Sequence, residues 1–222
     1  MKFAPIIYLI GMLLCILSLF MLIPALVDWF YGSRDWPAFI ASSLTTLIVG
    51  GALFLSARGS ATEHLELRQA FLLTNSAWIS IALFGSLPFL FSDINMSITD
   101  AIFESTSGIT TTGATVIDTL DSTSHGILIW RALLQWLGGV GIIVMALAIL
   151  PMLSIGGMQL FKTESYETPD KVVPKAASFA AGISIVYITL TVAWAFMLWG
   201  AGMSIFDAIA HAMTTLATGG YS

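Results

Sequence analysis

Apolar residues run along this chain in long blocks. Five stretches carry no Asp, Glu, Lys or Arg: Phe3–Val27, Trp36–Ala57, Gln69–Ser92, Ala132–Phe161 and Ala176–Phe206. Each reaches the length of about 20 residues that a helix needs to cross a bilayer core of about 30 Å, so the pattern predicts five spans. The fourth is expected to start near Gly126, to take in Arg131 and to end near Pro151. Behind it, Ser154–Phe161 (SIGGMQLF) reads as a glycine-containing turn leaving the membrane. The fifth is expected to end near Gly200, because Gly200 and Gly202 interrupt it. The first stretch follows Lys2 but is too long for a signal peptide and has no small-residue cleavage site, so it is retained as an anchor.

Composition agrees with the pattern. Of 222 residues, 57% are hydrophobic and 9% charged, with a mean hydropathy of +0.92. Soluble domains carry about 25% charged residues, and an ordinary soluble domain is excluded. A net charge of −5 without a basic run gives no footprint for nucleic acid. The single cysteine, Cys15, lies within an apolar block and reads as a small buried hydrophobe. No HExxH, GxSxG or Cys/His cluster of metal spacing is present, so no enzyme chemistry is expected.

Charge placement sets an expected orientation. Alternate loops hold Lys2, Arg58, Arg68, Lys162, Lys171 and Lys175, whereas the opposite loops hold only Arg34. Six against one predicts a cytoplasmic N-terminus. The segment from Asp93 to His125 has no Lys or Arg but carries Asp93, Asp100, Glu104, Asp118 and Asp121. Two readings stay open: an acidic mouth that concentrates cations, or the mere absence of retained basic residues.

An internal repeat carries the functional information. Met96–Thr115 (MSITDAIFESTSGITTTGAT) and Met203–Ser222 (MSIFDAIAHAMTTLATGGYS) lie 107 residues apart and share eight of twenty positions without a gap. Each copy follows a long apolar helix entering from the same side, as a parallel duplication requires. Ser97 with Asp100, and Ser204 with Asp207, have capping-box spacing. The helices they open are expected to run to about Ile109 and Leu216, about 18 Å and too short to span. Each then breaks into a Thr/Gly segment, and non-helical backbone at that depth is tolerated only when buried in protein or lining a watery path. The negative end of each short helix faces the membrane centre, and glycine lets consecutive carbonyls turn toward one axis to replace an ion's water shell.

The order outer helix, re-entrant helix, TTTGATV (Thr110–Val116) and inner helix resembles one repeat of the Trk/Ktr/HKT potassium-transporter superfamily. So do LLQWLGGVGIIVMALAILPML and IGGMQLF behind it, and the two extra N-terminal helices suit its Trk branch. The resemblance covers essentially the whole chain. It implies an all-α multipass membrane protein with helix–pore loop–helix repeats of potassium-channel-like type, taking up potassium across the bacterial inner membrane. By the same resemblance, the carbonyls of Thr111, Thr112 and Gly113, then Thr218, Gly219 and Gly220, would coordinate K+ as the transported ion, with no organic cofactor. It also implies a homodimer and a cytoplasmic TrkA-like nucleotide-binding subunit with RCK domains.

The resemblance divides the chain into a two-helix region (1–68), a complete repeat (69–161), a cytoplasmic linker (162–175) and a second repeat ending at its filter (176–222). Four filter segments make the family's pore, so the sequence reads as the N-terminal part of a transporter whose C-terminal repeats complete the ring. With one glycine or a Gly-Gly pair per filter, fewer ordered ion sites and looser discrimination are expected than for TVGYG. Two alternatives remain: a secondary cation symporter, which would more often show inverted repeats and buried carboxylates, and a non-conducting scaffold if the chain ends at Ser222.

Other positions receive plainer readings. Gly108–Gly113 has phosphate-loop spacing, but Ala114 stands where Lys is required and no strand precedes it. Arg131, two turns inside its span, is expected to snorkel outward; the alternative is a pairing with Glu104 that clamps the re-entrant helix. Gly138, Gly139 and Gly141 read as close-packing positions. Trp29, Trp36, Trp130 and Trp199 read as interfacial anchors. His64 reads as solvated, and His211, which replaces Glu104 in the second copy, has no partner legible in the sequence.

Overall fold

The computed structural model describes residues 3–60, 67–153 and 172–221, and every regular element among them is a helix. The turn expected over Ser154–Phe161, the linker lysines Lys162 and Lys171, and His64 lie outside the described residues. Among the described residues, five helical stretches are long and apolar enough to cross a membrane.

The first apolar block forms two helices, α1 (Ala4–Phe20) and α2 (Leu22–Tyr31), and not a single rod ending at Val27. Pro24 has no N–H to return to the Phe20 carbonyl, and its ring crowds that carbonyl, so the ladder breaks at Met21. The third block breaks in the same way, into α4 (Leu67–Gly85) and α5 (Leu87–Phe91), with Ser86 between them and Pro88 just beyond. Between these blocks lies α3 (Trp36–Ser56), with a proline in its first turn where the missing N–H does no harm.

Helix α1 packs backbone to backbone on α3. A Cβ on Gly11 would strike the Phe54 nitrogen and the Gly50 carbonyl, and one on Gly50 would strike the Leu14 side chain. Small residues are what allow helices to approach this closely in lipid. The buried Ser43 hydroxyl donates to the Ser18 carbonyl at 2.8 Å, tying the same pair.

The remaining elements are α6 (Ile98–Ile109), α7 (His125–Leu153), α8 (Val172–Gly200) and α9 (Ile205–Leu216). Helix α7 is the axis of the packing: 56% of its most apolar window is buried, against 11% for α8. Its N-terminus is held by α2, because the buried Asp28 carboxylate accepts the Gly126 N–H at 2.6 Å. A carboxylate there also meets the positive end of the helix dipole.

Trp130 corrects one expectation. It is fully buried and donates its indole N–H to the Gly85 carbonyl at 3.0 Å, so it is a core residue and not an interfacial anchor. Trp29, Trp36 and Trp199 are exposed.

Candidate functional site

Two twelve-residue helices, α6 and α9, deliver the repeated motif. At their N-termini, Ser97 and Ser204 adopt the extended conformation of a cap, and their hydroxyls accept the Asp100 and Asp207 N–H groups at 3.1 and 3.0 Å. The same hydroxyls donate to the Asp100 and Asp207 carboxylates at 2.6 and 2.7 Å. The carboxylate thus steadies the capping serine itself, a variant of the reciprocal box in which it reaches the cap's backbone.

Their C-termini are also superimposable in bonding. In α6, Thr111 N–H returns to the Gly108 carbonyl and Thr112 N–H to the Ser107 carbonyl, at 3.0 and 2.9 Å. In α9, Thr218 N–H returns to Thr215 and Gly219 N–H to Thr214, at 2.9 and 3.1 Å. This is the Schellman pattern, which requires a left-handed residue just after the cap. Threonine fills that position in both copies, with φ of +57° at Thr111 and at Thr218. A β-branched residue resists this conformation at a cost of about 1–3 kcal/mol, and it persists only where the surroundings over-determine it. Two residues on, Gly113 and Gly220 are left-handed as well, at +80° and +59°.

The expected ligand residues come together as two adjoining segments. A Cβ on Gly113 would run into the Gly219 carbonyl oxygen, so the two backbones meet there. Among the described residues, no hydrogen bond is directed at the carbonyl oxygens of Thr111, Thr112, Gly113, Thr218, Gly219 or Gly220. By contrast, the next carbonyl, that of Ala114, accepts the Ser107 hydroxyl at 2.5 Å.

Helix α7 backs both segments along one stripe, Arg131, Gln135, Gly138 and Gly139. A Cβ on Gly138 would strike the Ile109 carbonyl at the end of α6, and one on Gly139 would press on Ala217 at the end of α9 and on the Tyr187 hydroxyl. These two glycines are packing positions, as expected. Among the described residues, a Cβ on Gly141 would meet only Trp78, at ordinary contact distance.

The expected outward reach of Arg131 is overturned. Arg131 is 2% exposed and its Nε donates to Glu104 Oε1 at 2.8 Å, with Glu104 itself fully buried. Two turns inside a span, a guanidinium with a carboxylate in reach is better served by that partner than by stretching to the interface. Glu104 also accepts the Thr115 hydroxyl at 2.9 Å and the Val116 N–H at 3.0 Å. Its backbone carbonyl accepts the Tyr221 hydroxyl at 2.7 Å, and the Arg131 guanidinium lies 3.9 Å from the Tyr221 ring centroid. Glu104 therefore fastens α6, the chain after the first Thr/Gly segment, the chain after the second, and α7. It forms no part of an acidic mouth, whereas Asp93 and Asp118 are exposed.

Thr115 and Tyr221 went unread in the sequence because their partners are remote in it. At the position equivalent to Glu104, His211 makes only a helix-internal contact, Nδ1 to the Asp207 carbonyl at 2.9 Å. It lines a cavity of about 360 Å³ with Arg131, Thr214, Tyr221 and His125. Among the described residues, no cluster of three or more His, Cys, Asp or Glu could hold a metal ion.

Comparison with known proteins places these features. Residues 36–222 match the family model TrkH, described as a cation transport protein. The chain is 44% identical over 225 residues to the Trk system potassium uptake protein TrkH of Escherichia coli K12, covering all of this chain and 46% of that protein. It is 40% identical to the Trk system potassium uptake protein TrkI of Halomonas elongata, covering 45% of that protein. The crystal structure of the potassium transporter TrkH from Vibrio parahaemolyticus superposes with a TM-score of 0.89 at 42% identity, over 100% of this chain and 44% of that one. The chain thus spans about half the length of the relatives it matches. Its helical architecture, its paired half-span units and these matches agree, and the chain belongs to the TrkH cation transport protein family.

Proposed function

We propose that this chain supplies two segments of a potassium selectivity filter in a bacterial uptake system. One observation carries the reading: the two copies of the motif turn at the same two positions and, among the described residues, leave the same three carbonyls uncommitted, side by side at Gly113 and Gly219. A monovalent cation that sheds water there meets carbonyl oxygens of Thr111, Thr112, Gly113, Thr218, Gly219 and Gly220 in place of its hydration shell. The C-terminal ends of α6 and α9 add negative dipole at the same depth. Transport needs no covalent step and no organic cofactor on this chain.

Two segments are half of a four-part ring, and the relatives are about twice as long. C-terminal repeats complete the ring in this reading. The permeating ion in this reading is K+, as the names of the relatives indicate; the bias of lysine and arginine supports a cytoplasmic N-terminus, and kinship with bacterial potassium uptake proteins supports the bacterial inner membrane. A homodimer with a TrkA-like nucleotide-binding subunit is the assembly this reading expects.

The test is uptake of potassium or rubidium by cells that lack their own uptake systems and carry the native coding sequence. Gly113→Asp is expected to reduce uptake to background with the protein still in the membrane, because any side chain at Gly113 meets the Gly219 carbonyl. Uptake at the wild-type rate overturns the proposal.

A further inference from the structure

Gln135 lies on the α7 stripe between Arg131 and Gly138, against the second Thr/Gly segment. It is fully buried, and neither end of its amide has a hydrogen-bond partner among the described residues. Buried side-chain amides are rarely left so, because each unpaired polar atom forfeits the hydrogen bond it had in water. A Cβ on Gly219 would land on the Gln135 amide, touching its nitrogen, carbon and oxygen, so the amide rests directly on the backbone of the second Thr/Gly segment.

The Gly219–Gly220 peptide offers what the amide lacks. The Gly219 carbonyl oxygen lies against Gly113. Across a trans peptide the next N–H points the opposite way, so the Gly220 N–H is directed away from Gly113. That N–H has no acceptor among the described residues. An unclaimed donor and an unclaimed acceptor therefore sit on and beside one peptide, whose other end is one of the proposed ion ligands.

We propose that Gln135 is a positioning residue for ion selection: its Oε1 takes the Gly220 N–H when a cation draws the Gly219 carbonyl inward, and so fixes that carbonyl's direction. The proposal rests on the filter reading above. It explains why position 219 is glycine in the second copy where the first has Thr112, since any side chain there would displace the amide. Discrimination among monovalent cations depends on how many carbonyl dipoles point at the ion and how firmly they are held. Removing this hold should therefore alter the choice of ion more than the rate.

The experiment compares Gln135→Met, which keeps the shape and removes the acceptor, with Gln135→Glu, which keeps the acceptor oxygen. Initial rates of K+, Rb+ and Na+ uptake are measured from the native coding sequence and normalised to protein in the membrane. Losing one hydrogen bond is expected to lower the K+/Na+ ratio of Gln135→Met by about fivefold, while Gln135→Glu stays closer to wild type. An unchanged ratio in Gln135→Met overturns the proposal, as do equal shifts in both variants. Failure of both to reach the membrane marks Gln135 as a packing residue and overturns it too. Gly113→Asp run alongside separates the two levels: if it transports normally the filter reading itself fails, and if it does not, only the role of Gln135 is in question.

Discussion

The two half-span units have one backbone and two kinds of support. From the capping serine through the left-handed threonine to the left-handed glycine, α6 with its segment and α9 with its segment repeat each other in their cap and backbone hydrogen bonds. At the middle of the helices they part. Glu104 is buried and joins four pieces of chain, whereas His211 bonds only to its own helix and faces a cavity. The backbone geometry of the two Thr/Gly segments is thus encoded by a handful of short-range positions, and the anchoring of that geometry is a separate matter which each unit solves differently. The Glu104 cluster also reaches Tyr221, so the first unit's anchor serves the second unit as well.

The sharpest way to break this asymmetry is at the charges. Arg131→Gln strands a fully buried carboxylate and is expected to destabilise by about 3–5 kcal/mol. Most of the loss should return in the Arg131→Gln, Glu104→Gln double variant, because two neutral amides leave no buried charge. His211→Gln is expected to change stability by less than about 0.5 kcal/mol, as for a substitution away from any network. Thermal unfolding of the purified protein in detergent measures all of these. No recovery in the double variant, or a His211→Gln loss as large as that of Arg131→Gln, would refute the asymmetry.

Adjacent glycines on α7 test whether the two units are supported independently. Gly138 faces the Ile109 carbonyl under α6, and Gly139 faces Ala217 and the Tyr187 hydroxyl under α9. A backbone carbonyl at a helix end cannot swing aside, whereas a tyrosine side chain can shift. Gly138→Ala is accordingly expected to destabilise by about 1–3 kcal/mol, as overpacking does, and Gly139→Ala by less. Gly141→Ala, which among the described residues meets only ordinary contact at Trp78, should be neutral or slightly stabilising through better helix propensity. The order of the three midpoints is the readout, and equal losses would mean that α7 does not distinguish the units.

What the sequence revealed follows the same division. Local chemistry was legible: Ser97 and Ser204 open their helices as spacing required, and the helices end at Ile109 and Leu216. The left-handed threonines were legible in principle, since Thr111/Thr218 and Gly113/Gly220 are the only identities in the second half of the repeat, and these are its left-handed positions. The breaks at Met21 and Ser86 were legible in Pro24 and Pro88 but not in the apolar pattern, because hydropathy does not change across either proline. The pairing of Arg131 with Glu104 was legible as an alternative, but preferring it to an outward reach, like the burial of Trp130, depends on partners 27 and 45 residues distant, and composition around a residue says little about what the fold brings to it.

The capping serines give the smallest effect and the most exacting form of the comparison. Each hydroxyl satisfies one N–H of its helix and is held by the aspartate three residues on, at nearly equal distances in the two copies. Loss of such a cap costs about 1 kcal/mol. If local encoding alone sets the helix starts, Ser97→Ala and Ser204→Ala should lower stability by equal amounts. But α6 is also pinned through Glu104 and α9 is not, so fraying of an uncapped first turn should spread further in α9. Amide exchange in the first turns, Ile98–Ala101 against Ile205–Ala208, resolves this where a midpoint does not. Faster exchange in Ser204→Ala than in Ser97→Ala is the expected result, and the reverse order would show that the Glu104 cluster does not brace the helix that carries it.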